Sequence, residues 1–510
     1  MPIDAQVLQF GPWTAGVIYA LPAEDLPANA LYSMQNCRLG NAGQLIKRDG
    51  FTKYISSALS GTPTLTMVFQ NRFSASSTST WICAGTKVWE DVAGTWTDRT
   101  AALTITSGND NTFSVVNAAG TMCFTNGVDL PLKAAAAAGN ATALGISARF
   151  TWSKWVEYGD FRLWHGNNSQ SVARVYRTAS GDIETITNAT DFYTVDGDVT
   201  GLKWFRSSLT IHTENGLWQL YPTGNATTPY QMQRRADKGT VSGRSIVVTP
   251  DGEMLFVRKD GIYTYNGTEE PKKLTVTLNL PALNGGQLEI FPLEGSRYWG
   301  TISQGRLHQC HATLYPDREE VWFFLPYAST PMNHVIVFNY RRRIFYGPYT
   351  GFTRNCSALI DGVPHAGGYS DGLLYQHEDG ETDNTAAIDA WGITGAPPPL
   401  GSAATVRWLY GRHHFDLVGS HNLQVQQMGQ GIDTRTDYVS MGGDYAAIPA
   451  FIVGTSAIMP DNSLLSAETD LQGYSSSMQF KYRNANASEP FTVRRSEAMY
   501  QPIGLERDEN

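Results

Sequence analysis

The sequence predicts an all-β protein, with β-propeller-like repeats of short antiparallel strands followed by a smaller C-terminal β-domain. Three observations carry this. The composition is aromatic and turn-dense, with 11% Phe, Trp and Tyr, 49 glycines, 24 prolines and only 17% charged residues in 510; that suits neither a helical bundle nor a disordered chain. Seven segments share one plan, a short apolar strand, a turn of Gly, Asp or Asn, and a strand ending in an aromatic: TWICAGTKVWE, TMCFTNGVDL, FRLWHGNNS, LTIHTENGLWQLY, MLFVRKDGIYTYNG, VWFFLPYASTPMNHVIVFNY and HAGGYSDGLLYQ. Their spacing of roughly 40–48 residues, with one gap of about 67 that suggests an insertion, is that of propeller blades, each burying its faces only against its neighbours. Finally, APPPLG at 396–401 interrupts any strand, because proline lacks the backbone donor and fixes φ.

Taken in order, residues 1–60 read as an N-terminal arm. Within it, NALYSMQNCRLGNAGQLIKRDGFTKY at 29–54 alternates apolar and polar residues around Asn41-Ala42-Gly43, as a hairpin does. The opening MPIDAQVLQF carries Asp4 and no basic residue, unlike a secretory signal. No stretch approaches the roughly 18 apolar residues of a membrane helix. Residues 61–395 hold the seven repeats. Residues 396–510 alternate again but without the blade plan (TVRWLYGRHHFDLV, NLQVQQMG, SSMQFKYRN, FTVRRSEAMYQPIG), giving a separate β-domain that ends in a solvated tail.

A net charge of −9 and a pI near 5.6 oppose a main task of gripping phosphate backbones. Five scattered cysteines (Cys37, Cys83, Cys123, Cys310, Cys356) form no C-x-x-C pair and suggest neither disulfides nor zinc. Gly368-Tyr-Ser370-Asp-Gly372 matches G-x-S-x-G, but LLYQHEDG after it reads as a strand, where a nucleophile elbow needs a helix. His308 and Cys310 would share one strand face with His311 on the other, too few for a four-ligand zinc site; His413 and His414 point oppositely. Asp379, Glu381 and Asp383 alternate as in a calcium loop, yet Asn384 and Ala390 stand where that loop needs Gly and Glu. Arg234-Arg235 and Arg341-Arg342-Arg343 are the strongest basic clusters and read either as solvated strand ends or as subunit or nucleic-acid contacts. No phosphate loop or H-E-x-x-H pattern occurs. The expectation is a protein without catalytic residues, metal or cofactor.

The arm also carries N-x-R-L, a glycine turn and L-x-K-R-x-G-F, in Asn36, Arg38, Leu39, Gly43, Leu45, Lys47, Arg48, Gly50 and Phe51. This pattern resembles the N-terminal signature of the tail nozzle or tail hub proteins of short-tailed bacteriophages, except that Asp49 stands where proline is usual. Loose likeness continues through GDFRLWHG, DGEMLFVRKDGIYTYNG, VIVFNYRRRIFYGP and the closing FTVRRSEAMYQPIG, across nearly the whole chain. The resemblance implies a virion structural protein, made in the host bacterial cytoplasm and located in the tail. It would form a homohexameric ring below the portal and adaptor, contact tail fibres or spikes, and retain and eject double-stranded DNA through the lumen. On that reading Asn36, Arg38, Lys47, Arg48, Arg341, Arg342 and Arg343 would make subunit or adaptor contacts. The alternatives are a propeller that binds glycans or acts as a glycan hydrolase or lyase, and a monomeric scaffold.

Overall fold

The computed structural model describes residues 5–503, apart from 147–148, 188–190, 226, 279–287, 291, 294–295, 297, 329–330, 420, 430–431 and 442–463. Among the described residues, seven four-stranded antiparallel sheets follow one another along the chain: blade 1 at 65–98, blade 2 at 114–143, blade 3 at 153–194, blade 4 at 201–236, blade 5 at 247–273, blade 6 at 311–349 and blade 7 at 354–377. Each is a meander whose first strand is innermost. In space each blade adjoins the next, and the first strand of blade 7, Arg354–Ile360, lies against Leu65–Ser74 of blade 1, so the circle closes. Five of the seven segments recognised in the sequence are the central hairpins of their blades, and TMCFTNGVDL and FRLWHGNNS are the second strands of blades 2 and 3, each with the turn after it. The long gap holds the hairpin of Val276–Leu278 and Leu288–Ile290 and the 3-10 turns Trp299–Thr301 and Gln304–Gln309.

Period-2 patterning explains how a blade buries both faces. Along Gly216–Pro222, Trp218 and Leu220 join Trp155, Trp164 and Val175 in the core between blades 3 and 4. Leu217 points the other way, to Met254, Phe256 and Phe205 between blades 4 and 5. The closing interface is of the same kind, with Leu65, Val68 and Ile82 of blade 1 against Ile360 and Leu374 of blade 7.

Blade 7 takes its outermost strand from the arm. Phe51–Lys53 pairs with Leu374–His377, with Phe51 opposite His377. The rest of the arm goes into two further sheets. One contains Gln6–Phe10, Cys37–Leu39, Leu45–Lys47, Val406–Asp416, Leu464–Ser475 and Thr492–Pro502; the other contains Leu31–Gln35, Ala390–Thr394, Asn422–Gly429, Ile432–Ser440 and Gln479–Asn484. They pack face to face as a sandwich, with His413 and Phe10 of the first sheet meeting Phe480 of the second edge-on at 4.8 and 5.4 Å.

The sheets therefore cut across the three segments read from the sequence. Residues 6–47 belong with the C-terminal strands, 51–53 with the propeller, and Ala390–Thr394, ahead of the prolines, already with the sandwich. The 29–54 stretch is not one hairpin. Only 37–47 is, and the strands on either side of it enter different sheets. The physical reason is that Asn36 adopts φ 51° and turns the chain out of one sheet and into the other; asparagine tolerates that left-handed region better than most residues. Among the described residues, no helix is long and apolar enough to cross a membrane.

Candidate functional site: the joint between propeller and sandwich

The residues singled out by the arm motif meet where the sandwich sits on blade 6. The outer strand of that blade, Ile344–Tyr349, receives backbone hydrogen bonds from Val17 (to Phe345, 3.0 Å) and Asn36 (to Pro348, 2.9 Å). Gly16 makes this approach possible: its φ is +78°, and a Cβ there would stand 2.7 Å from the Phe345 carbonyl oxygen. One continuous apolar core runs from Phe10, Trp13 and Phe480 in the sandwich to Val321, Trp322 and Phe345 in blade 6.

Arg48 is the centre of the joint, its side chain 2% exposed. Its Nη1 and Nη2 donate to Asp383 Oδ1 and Oδ2 at 2.8 and 2.6 Å, its Nε donates to Asn36 Oδ1 at 2.9 Å, and the remaining two N–H groups donate to the carbonyls of Asp49 (2.9 Å) and Thr350 (3.1 Å). All five donors of the guanidinium fork are thus used. Asn36 is equally saturated: Oδ1 also accepts from the Thr350 N–H at 2.7 Å, and Nδ2 donates to the Asp389 carbonyl at 2.9 Å.

Lys47 points into the sandwich, 4% exposed. Its ammonium donates to Asn484 Oδ1 (3.0 Å) and the carbonyls of Asn486 (2.8 Å) and Glu489 (3.2 Å). Burial lowers its pKa. Burial also pushes up the thiol of Cys37, which pairs with Lys47 across the hairpin.

Arg38 faces a cleft of about 550 Å³ between hairpin and blade 6, which Arg318, Arg342, Glu320 and Tyr346 also line. Arg318 binds Asp49 at 2.8 Å and touches Glu378; Arg38 stands 3.9 Å from the same Asp49 carboxylate. Burial raises the pKa of Glu320, which accepts from Trp322 Nε1 at 2.7 Å and from the Tyr346 hydroxyl, and raises that of Glu378 further, against the pull of Arg318.

The arginine triplet lies in the turn between the last two strands of blade 6, not in a strand, and its members fan apart. Arg342 donates to the carbonyls of Leu39 (3.0 Å) and Gly40 (2.9 Å), while Arg341 and Arg343 pair with Asp251 (2.9 Å) and Glu253 (2.6 Å) of blade 5. Asn36, Lys47, Arg48 and Arg342, expected at subunit or adaptor contacts, each bond within this chain at the joint. They join parts of one chain, because each sits where two sheets meet and donates to acceptors there. Arg341 and Arg343 remain at the surface, with side chains 55% and 39% exposed.

The other candidates also find local places. Ser370, φ 66°, lies in the turn from Val363–Gly368 to Leu374–His377, a strand–turn–strand. His308 lies in a 3-10 turn rather than a strand; Cys310 and His311 are buried at the inner end of blade 6. His413 lies inside the sandwich, bonded to Ser496 and Thr469, while His414 faces Glu497 at 3.5 Å. Arg234 pairs with Asp237 and Arg235 bonds Gln219. Among the described residues no three His, Cys, Asp or Glu side chains converge as metal ligands. Asp383, noticed only as part of a calcium-like loop, is the partner of Arg48. Asn484, Thr350 and Arg318 gave no sequence signal, being ordinary polar residues far away in the chain.

No protein-family model matches the chain, and no curated protein does. Among solved structures, YCF48 from Cyanidioschyzon merolae aligns at 10% identity over 64% of this chain and 98% of its own, with a TM-score of 0.38. The computationally designed Ika8 protein aligns at 11% identity over 64% and 99% (TM-score 0.34), and BBS1N, solved in complex with ARL6DN, at 9% over 65% and 97% (TM-score 0.39). At such values the fold rests on the order of the sheets themselves.

Proposed function

We propose that this chain is a structural subunit of a phage tail nozzle or hub ring, in which the propeller is a wall element and not the conduit. The observation that carries the reading is the arm. The residues of the tail-protein-like motif are the ones that lock propeller and sandwich into one body, so the motif is what such a subunit needs to bear load without flexing at a linker. The propeller's own hub agrees with the wall role. Its central cavity is about 180 Å³, room for a few waters at about 30 Å³ each, so DNA would run through a lumen enclosed by several copies. Such a ring needs a heterologous interface that closes on itself. An acidic chain would line it without gripping the duplex.

Electron microscopy of the purified protein, alone and mixed with its neighbouring tail proteins, tests this. A closed ring, six-fold on the family likeness, with the propellers around an open lumen is expected. Protein that stays monomeric with every tail partner, or polysaccharide cleavage abolished by a carboxylate substitution, would overturn it. Removing residues 1–54 is a poor test, because it takes strands from three sheets and would unfold the subunit before assembly could be scored.

A further inference from the structure

The hub of the propeller is a well with a positive end, where Arg244 and Lys154 are met by one carboxylate, Asp110. Its wall comes from all seven blades, among them Met67, Phe113, Trp155, Leu202, Ile246 and Cys356. At one end the connections between blades cross-link over the axis. Asn355 Nδ2 donates to the carbonyls of Leu65 (3.0 Å) and Asn109 (3.1 Å), and Gln309 Nε2 donates to Asp110 Oδ1 at 2.6 Å. Arg244, in the 3-10 turn Gly243–Ser245, donates from Nη1 to the Asn355 carbonyl at 2.9 Å and from Nη2 to that of Gln309. Deeper along the strands Lys203 faces Glu157 at 3.3 Å, with the lysine side chain 35% exposed, so the well opens on that side.

The charges do not balance. Glu157 is the sole carboxylate among the described residues lining the well, and Lys203 takes it. Arg244 makes no ion pair among the described residues and rests on two carbonyls. Lys154, near enough to sense its charge, likewise has only the carbonyls of Thr112 (3.2 Å) and Asn126 (3.1 Å). Burial lowers the pKa of both, Arg244 to about 10 and Lys154 to about 8, and the one carboxylate near this end, Asp110, offsets the shift of Lys154 only in part. His311, 3% exposed and also lining the well, stacks on Phe324 at 4.5 Å and has the Gln309 backbone near its ring, but neither ring nitrogen makes a well-formed hydrogen bond. Buried cations are ordinarily paired, and buried polar nitrogens ordinarily bonded.

The geometry points to a binding site for one small oxyanion, a phosphate or carboxylate group, held at the closed end of the well by Arg244 with His311 beside it. A guanidinium keeps donors in hand after two bonds, and its fork matches oxyanion geometry. A protonated phosphate both donates and accepts, as neutral His311 requires. The volume admits one such group and excludes a nucleotide or an oligosaccharide.

Inorganic phosphate titrated into the full-length protein at constant ionic strength, followed by calorimetry and by the His311 ring resonances, tests the assignment. One saturable site that shifts His311 is expected, with acetate competing and chloride inert. Arg244→Met should weaken binding at least tenfold. Glu157→Gln, which removes the wall carboxylate that holds Lys203, should tighten it several-fold, and it decides the matter alone if Arg244→Met does not fold. No saturable binding in the millimolar range, binding unchanged in either folded variant, or a His311 signal that does not respond, would leave a well that holds water only and overturn the site.

Discussion

Propeller and sandwich are both antiparallel β, yet they are assembled from the chain in opposite ways. Blades 1–6 are each written in one contiguous stretch, so every strand pairs with its neighbour in sequence. In the sandwich Gln6 pairs with Tyr500 and Leu45 with Val493. Blade 7 is the exception that links the two, since its last strand comes from the arm that also builds the sandwich. Repetition thus makes a structure whose parts are replaceable, and non-local pairing makes one that stands or falls as a unit. They are coupled at the joint centred on Arg48.

Acid should separate them most. His165 and His212 in the propeller are buried with pKa values held down to about 3 by desolvation, and His311 and His377 are pushed down as well; His413, also about 3, is the sandwich counterpart. These rings are neutral when folded but take a proton near pH 6.5 when unfolded, so their contribution is complete above 6.5 and is lost as pH falls toward 3. Each removes about 1.4 kcal/mol per pH unit in that window. At pH 4.5 His165 and His212 together should cost the propeller roughly 5 kcal/mol, about twice the cost of His413 to the sandwich. Hydrogen exchange at stepped pH should show blade amides opening first; the reverse order would contradict the comparison.

Arg48→Met should cost about 3–5 kcal/mol in urea unfolding, because it strands the buried Asp383 carboxylate. Adding Asp383→Asn should recover part of that loss, and strictly additive single-variant costs would deny the coupling. Its neighbour distinguishes the two regions. Lys47→Met should cost about 1–3 kcal/mol through three deserted acceptors, with lost exchange protection in 479–493 and none in blade 7. Smallest of all, Tyr438→Ser on the outer edge of the five-stranded sheet, 69% exposed, should change subunit stability by less than about 0.5 kcal/mol. If ring closure uses that edge, the same substitution would reduce assembly while leaving the melting temperature in place.

The legible part of the fold was the part that repeats. Each blade states its strand–turn–strand plan within about forty residues, so spacing alone finds seven units and the insertion before blade 6. The sandwich could not be found that way, because a strand at residue 6 keeps no local trace of its partner at 500. The joint was half legible. Arg48 and Asn36 stand out through a motif that resembles a family, but a motif does not say which way a side chain points. An arginine in a polar turn and one saturating five acceptors look identical until Asp383 and Thr350 are beside it. His308 was misplaced for a simpler reason: a 3-10 turn leading into a strand continues its alternation by accident.

Blade 7's borrowed strand also sets a timetable. Phe51–Lys53 leaves the ribosome roughly three hundred residues before Leu374–His377 exists to receive it. At translation speeds of about 5–20 residues per second that is an interval on the order of 15–60 s, during which blades 1–6 can form one after another as they emerge. Beyond its own 37–47 hairpin, the arm, with its apolar Leu31 and Phe51, must spend that time without its partner strands. Residues 354–502 therefore close the ring and complete the sandwich, and a nascent chain halted before residue 354 would be six blades open at both ends with an unplaced arm.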